Sequence, residues 1–265
     1  MPKSPDTPAA FAGQIDLASA DLGGAALACS DDFFAGMEHL VLPAAAVFDP
    51  DAYTERGKLM DGWESRRRRV PGHDWCIIKL GVPGLVRGVD IDTAYFLGNH
   101  PPYASVEAVH LPAETSVEAL RTAVEWTEIV PAMPLQRGAN NLQAVAVVGE
   151  WTHIRLRIFP DGGVARLRIW GEPRPDREAG AEVDLACIQQ GGQALACSDM
   201  FFSPMNNLVL PKPANDMGGG WETRRSRPPG DDWIIIKLGA PGMLSQVVID
   251  TKHFKGNFPD TVALD

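Results

Sequence analysis

Residues 61–81 read DGWESRRRRVPGHDWCIIKLG, and residues 219–239 read GGWETRRSRPPGDDWIIIKLG. A Trp-Glu pair, an arginine run, a Pro-Gly turn, an Asp-Trp pair and an apolar run recur in one register. A merely solvated run of charge has no reason to return beside the same tryptophans. The match extends in both directions from this stretch. Upstream, LACSDDFF at 27–34 returns as LACSDMFF at 195–202, and LVLP at 40–43 returns at 208–211. The first copy then carries the longer loop before its tryptophan. Downstream, IDTAYFLGNHP at 91–101 pairs with IDTKHFKGNFP at 249–259.

The chain is therefore a tandem of two homologous units. A lead-in covers residues 1–16, a first repeat 17–171, a Pro- and Glu-rich linker 172–182 (EPRPDREAGAE), and a second repeat 183–265. The first copy runs on from Pro101 to Gly171, whereas the second stops at Asp265, soon after Pro259. The second repeat is thus expected to be incomplete and the chain truncated.

The local pattern is β. Residues 76–80 and 86–91 are short apolar or alternating runs bounded by Gly and Pro, which predicts two strands. Ile154, Leu156 and Ile158 alternate with Arg155 and Arg157, after which PDGG leads into VARLRIW, the pattern of a β-hairpin. Residues 116–126, SVEALRTAVEW, could form a short helix, though Thr and Val leave this open. With 26 Gly and 22 Pro, many turns and short strands are expected. The fold class is all-β, two jelly-roll β-sandwiches whose end loops carry function. DGWESRRRR is expected in such a loop or where one leads into a strand.

Composition narrows the partners. Hydrophobic residues make 45% and charged residues 22%, as in ordinary globular proteins. A net charge of −10 argues against nucleic acid or an anionic membrane as partner. Arginines clustered within an acidic chain suggest a local pocket for a small anion. No apolar run reaches the roughly 18 residues of a membrane span, and no secretory leader is apparent. Cys29, Cys76, Cys187 and Cys197 show no CxxC spacing, which points to free thiols in a reducing cytoplasm.

Together LACSDDFF, DGWESRRRR, GHDWCIIKLG, GVDIDTAYFLGNHPP and IRLRIFPDGGVARLRIWG closely resemble the allantoicase family, from about Leu17 onward and in both repeats. The resemblance implies tandem galactose-binding-like jelly rolls. It also implies an amidinohydrolase of purine catabolism that converts allantoate and water to (S)-ureidoglycolate and urea. The alternative is a non-catalytic ligand-binding sandwich or an inactive paralogue, which the short second repeat keeps in play. Surface aromatics with few clustered arginines would suit a sugar-binding module better.

Allantoate carries one carboxylate and two ureido groups on one carbon. Its carboxylate calls for a bidentate arginine, its ureido groups for Asp, Glu or Asn, and release of urea for a proton donor and a base. Arg66 and Arg67, with their repeat equivalents Arg224 and Arg225, are the anion-binding candidates. Alternatively, the arginines pin loops through Asp61, Glu64 and Asp74. His73, replaced by Asp231 in the second copy, lies next to Asp74 and could act as general acid or base, or be a surface loop histidine. His100, replaced by Phe258, and Glu64 complete the catalytic candidates with His73 and Asp74. Asp92 and Asn99 join the substrate-binding candidates, although Gly98-Asn99 also reads as a turn and Asp92 as its anchor. The six histidines show no HxH or HExxH spacing, so no cofactor is evident. A divalent ion held by carboxylates from separate loops stays open. A small-molecule substrate and a homo-oligomer are expected.

Overall fold

Nineteen consecutive residues, Asp74–Asp92, form one strand around which the first unit is built. A computed structural model describes residues 11, 14–122, 125–178, 180–226 and 229–265. The chain divides into Met1–Arg177 and Glu178–Asp265. In the first unit, β1 is Ile15–Asp16, β2 Ala25–Cys29, β3 Tyr53–Thr54, β4 Gly57–Lys58, β5 Trp63–Glu64 and β6 Asp74–Asp92. Then follow β7 Tyr103–Val109, α1 Val117–Thr122, β8 Thr127–Pro134, β9 Asn140–Ala144, β10 Glu150–Phe159, β11 Gly163–Val164 and β12 Arg166–Pro173.

The two short strands expected at 76–80 and 86–91 are halves of β6. Its first half lies between β2 and β10, with β7 and β8 beyond β10. Its second half lies between β12 and β9, with β1 on the far side of β12. The intervening Gly-Val-Pro-Gly does not break the strand, because it stays extended where β6 passes from one ladder to the other. Pro83 has no N–H to give, and its carbonyl accepts from the Arg174 N–H at 2.7 Å. A Cβ on Gly84 would lie 2.6 Å from the Glu172 carbonyl oxygen, so only glycine fits this crossing. One strand changing sheets through a bent segment is how a sandwich makes a corner.

The alternation in 154–158 holds. Ile154, Leu156 and Ile158 are fully buried, and Arg155 and Arg157 face outward on β10. Their hairpin partner is not β12, however. β10 pairs with β6 and β7, and β12 pairs with β6 and β1. Both flanks of β10 are already occupied, so the PDGG segment carries the chain across to the other ladder. On the way, β11 pairs with β5, the Trp63-Glu64 pair. Ile15 and Asp16, assigned to the lead-in, pair with Gly171 and Trp170 and so join the first unit's sheet. Helix α1 lies within the ambiguous segment at 116–126, where Leu120 packs with Ile77 and Val109 against Trp75 and Trp126. Residues 123 and 124 of that segment lie outside the described residues.

In the second unit, β13 (Gln193–Cys197) pairs with β14 (Ile234–Lys237), with a register shift between Ala194 and Ala196. The β2–β6 pair has the same irregularity between Ala26 and Ala28. The duplication is thus one of fold, down to a bulge. No helix among the described residues is long and apolar enough to cross a membrane.

Arg166 is the buried cation of the first unit, only 2% exposed. Its Nε donates to the Ala44 carbonyl at 2.9 Å, and a terminal nitrogen bonds the Asp61 carboxylate at 2.9 Å. Burial alone would raise Asp61, but hydrogen bonds from Arg166, the Val47 N–H and His39 outweigh it and hold the carboxyl at about 2. Replacing Arg166 by Ala takes a donor from that carboxylate and from the Ala44, Asp61 and Ala165 carbonyls, and is expected to cost about 3–5 kcal/mol in urea unfolding. A loss below about 1 kcal/mol, the scale of an exposed ion pair, would show that this clasp does not hold the loop.

Candidate functional site

The loop from Ser65 to His73 distributes the sequence candidates between two places. At its start Trp63 is fully buried, and its indole N–H donates to the Asp31 carbonyl at 2.8 Å. Arg66 turns back onto Asp31, with its Nε and one terminal nitrogen 2.8 and 2.6 Å from the same carboxylate oxygen. Burial alone would raise Asp31, but the Arg66 side chain and N–H outweigh it and hold the carboxyl below its usual range. The guanidinium also lies 5.1 Å from the centre of the Phe33 ring. Glu64 accepts from the Asn99 amide at 2.6 Å, and its burial raises the carboxyl despite that bond.

The second unit repeats this cluster with a looser arginine, the Arg224 Nε lying 3.8 Å from Asp199. The Trp221 indole donates to the Asp199 carbonyl at 2.8 Å, and the Asn257 amide donates to Glu222 at 2.6 Å. The Arg224 N–H donates to Asp199 at 2.7 Å, with the guanidinium 4.3 Å from the Phe201 ring. Arg67 and Arg225 are exposed, and among the described residues neither has a hydrogen-bond or ion-pair partner.

The remaining candidates serve the frame. Asp74 is buried, accepts from Ser30 at 2.9 Å and Arg68 at 2.7 Å, and keeps its second oxygen without a partner. Asp92 accepts from the Ala94 N–H at 2.8 Å at the end of β6, and its burial raises the carboxyl. His100 is half-buried, and its Nδ1 has no partner. The suggested pinning of loops by the arginine run is partial. Arg68 holds Asp74, but Asp61 is held by Arg166 and Glu64 by Asn99.

His73 goes elsewhere. Strand alternation sends Asp74 inward and leaves His73 with Trp75 and Ile77 on the other face. There they line a pocket of about 410 Å3 with Arg121, Thr122, Arg155 and Arg157. The cross-strand register sets Arg155 opposite Ile77 and Arg157 opposite Trp75. Three aromatic faces steady the guanidiniums, with Arg155 4.6 Å from Trp126, Arg157 5.3 Å from Phe159 and Arg121 5.6 Å from Trp75. Glu107 on β7 ties Arg155 at 2.6 Å and Arg157 at 3.1 Å. Burial first, then the nearby Arg157 and Arg68, lower the His73 pKa, so its imidazole is neutral at pH 7.

A second concavity is lined by Asp32, Glu38 and Glu55 against the single cation Arg56, and would repel an anion. Arg121, Arg155, Arg157 and Glu107 were not foreseen as site residues. The signal for two of them was present, since the i, i+2 spacing of Arg155 and Arg157 puts both on one strand face. Among the described residues, no group of three or more His, Cys, Asp or Glu is placed to hold a metal ion.

The first unit's jelly-roll sandwich thus carries a cationic, aromatic-walled pocket edged by an imidazole. A family model described as the allantoicase repeat matches residues 15–174 and 183–265. A protein of Burkholderia mallei called "Probable allantoicase 1" is 45% identical over 263 residues, 98% of this chain and 77% of that protein. A "Probable allantoicase" of Photobacterium profundum is 46% identical over 96% of this chain and 77% of its own length. The crystal structure of allantoicase from Saccharomyces cerevisiae superposes with a TM-score of 0.71 at 38% identity, covering 85% of this chain and 68% of that one. The chain belongs to the allantoicase family.

A second histidine gives the first unit a definite pH response. His153 is fully buried, and its burial, then Lys79 across the strand, lowers its pKa below 6.5. His73 is lowered in the same sense. Below pH 6.5 the unfolded chain takes up protons that the folded chain refuses, so stability is full above that pH and declines as pH falls through it. Melting temperatures between pH 8 and pH 5 should show this decline, and His153→Gln should flatten it. An unchanged slope in that variant would remove His153 as the cause.

Proposed function

We propose that this chain hydrolyses allantoate to (S)-ureidoglycolate and urea at the pocket lined by His73, Arg121, Arg155 and Arg157. The observation that carries this reading is the convergence of three guanidiniums on one concavity beside a neutral histidine. Arg155 uses its Nε for Glu107, leaving its terminal N–H groups for a carboxylate. Trp75 gives the pocket a flat apolar wall suited to a planar ureido group. In the reaction one C–N bond to the central carbon breaks. Water supplies hydroxyl to that carbon and a proton to the departing nitrogen, which leaves as urea. The imidazole stands where it can bond the departing group.

A second reading sets the substrate on the loop cluster of Glu64, Arg66, Asn99 and their equivalents, and the recurrence of that cluster in both units favours it. There Glu64, raised by burial, would serve as the proton donor. Assembly into a homo-oligomer and work in the cytoplasm are further parts of the proposal. The four free cysteines support the latter, since a reducing compartment keeps such thiols unpaired.

The test is urea release from allantoate by the purified chain, with Arg155→Gln and Arg66→Ala assayed side by side. Losing a charged hydrogen-bond donor to the carboxylate should raise KM about 10- to 100-fold in Arg155→Gln. Arg66→Ala should leave KM near the parent value. The reverse order would move the site to the loop cluster, and no urea from the folded parent chain would remove the enzyme reading.

A further inference from the structure

Behind the pocket, one buried carboxylate governs both the arginines and the histidine. Glu107 is 8% exposed on β7 and stands directly across from Arg155 on β10. It accepts the Arg155 Nε at 2.6 Å and a terminal nitrogen of Arg157 at 3.1 Å. The Nε of Arg157 in turn donates to Nε2 of His73 at 3.2 Å. A guanidinium has donors and no lone pair, so the nitrogen it meets must be the acceptor of the ring. A neutral His73 therefore carries its proton on Nδ1. The Phe159 ring, 5.2 Å away, packs on the imidazole.

We propose that Glu107, acting through Arg157, is a positioning residue that fixes His73 as the Nδ1–H tautomer and so presents it to the substrate as a hydrogen-bond donor. This rests on the pocket being the reaction site. The charged groups facing His73 are Arg155 and Arg157 on β10, Glu107 on β7, Arg68 in its own loop and Arg121 on α1. The cations outnumber the one carboxylate, which keeps a proton off Nε2 and leaves that nitrogen bound to Arg157. The donor then meets a ureido carbonyl oxygen, where negative charge grows as the C–N bond lengthens. A histidine in this state is not the base of the reaction.

The tautomer is read without substrate, by long-range 1H–15N correlation on the full chain with labelled histidine, the His73 signals being those lost in His73→Gln. The expected result at pH 7.5 is a protonated Nδ1 and an unprotonated Nε2. Arg157→Met should move the proton population toward Nε2, raise the titration midpoint of His73 and lower kcat about 10- to 100-fold. Glu107→Gln should shift both readouts the same way by less. A protonated Nε2 in the parent chain, or parent-like spectra and kcat in Arg157→Met, would overturn the proposal. Failure of the pocket reading shows separately, as an unchanged KM in an Arg121→Gln, Arg155→Gln double variant whose His73 spectrum is intact.

Discussion

The membership of one strand in two ladders is the constraint on which the first unit depends. β6 pairs with β2 and β10 up to Lys79, meets β10 again at Gly84 and Leu85, and pairs with β12 from Gly84 and with β9 from Gly88. Residues 80–83 must therefore stay extended while changing neighbours, which explains a proline lacking an N–H and glycines admitting a close backbone. The same strand sets the pocket. Its register puts Trp75 and Ile77 opposite Arg157 and Arg155, and β7 puts Glu107 opposite Arg155. A slip by one residue would turn both arginines into the core and Ile154, Leu156 and Ile158 outward, so core burial itself enforces the geometry of the pocket.

The duplication separates what the fold needs from what the pocket needs. Both units keep the Trp-to-Asp-carbonyl bond, the Asp–Arg turn-back and the Glu–Asn bridge. The arginine run itself diverges instructively. Arg68 bonds Asp74 in the first unit, whereas in the second Ser226, at the matching position, bonds Asp232 at 3.2 Å, helped by Thr223 at 2.9 Å. A hydroxyl and a guanidinium fill one role, which is to satisfy an aspartate at the head of a strand. That is a requirement of folding. His73 has no such counterpart, since Asp231 replaces it.

The fold was legible where patterns are local. Alternation in 154–158 located β10 and its inward face, and the LACSD strings marked the repeat in which β2 and β13 correspond. Strand pairing was not legible. An Asp-Gly turn between two alternating runs usually closes a hairpin, but here β7 already occupies one flank of β10 and β6 the other. The unity of β6 was hidden because Gly and Pro usually punctuate strands, and only the change of ladders makes them harmless. For the site, His73 was singled out by comparing the repeats, while the arginines that surround it were passed over for the conspicuous run at 66–69. A run on a loop fans its side chains in different directions, and these four go to Asp31, to Asp74 or to solvent. Two arginines spaced i, i+2 on a strand point the same way, so they line one pocket without standing out in the sequence.

Charge on the whole chain sharpens this point. At −10 the protein repels an anionic substrate at long range. At a Debye length of about 8 Å that field is largely screened, so what an approaching carboxylate meets is the local balance. In the pocket this is three guanidiniums against Glu107, a carboxylate already taken up by two of them. Glu107 lowers the net positive charge, yet without it two neighbouring arginines on one strand face would repel each other and lose their common orientation. Neutralising part of the charge is what makes the rest directional. A fixed pair of donors with one counter-charge behind it recognises a planar carboxylate better than a larger unconstrained charge would, because less side-chain freedom is lost on binding.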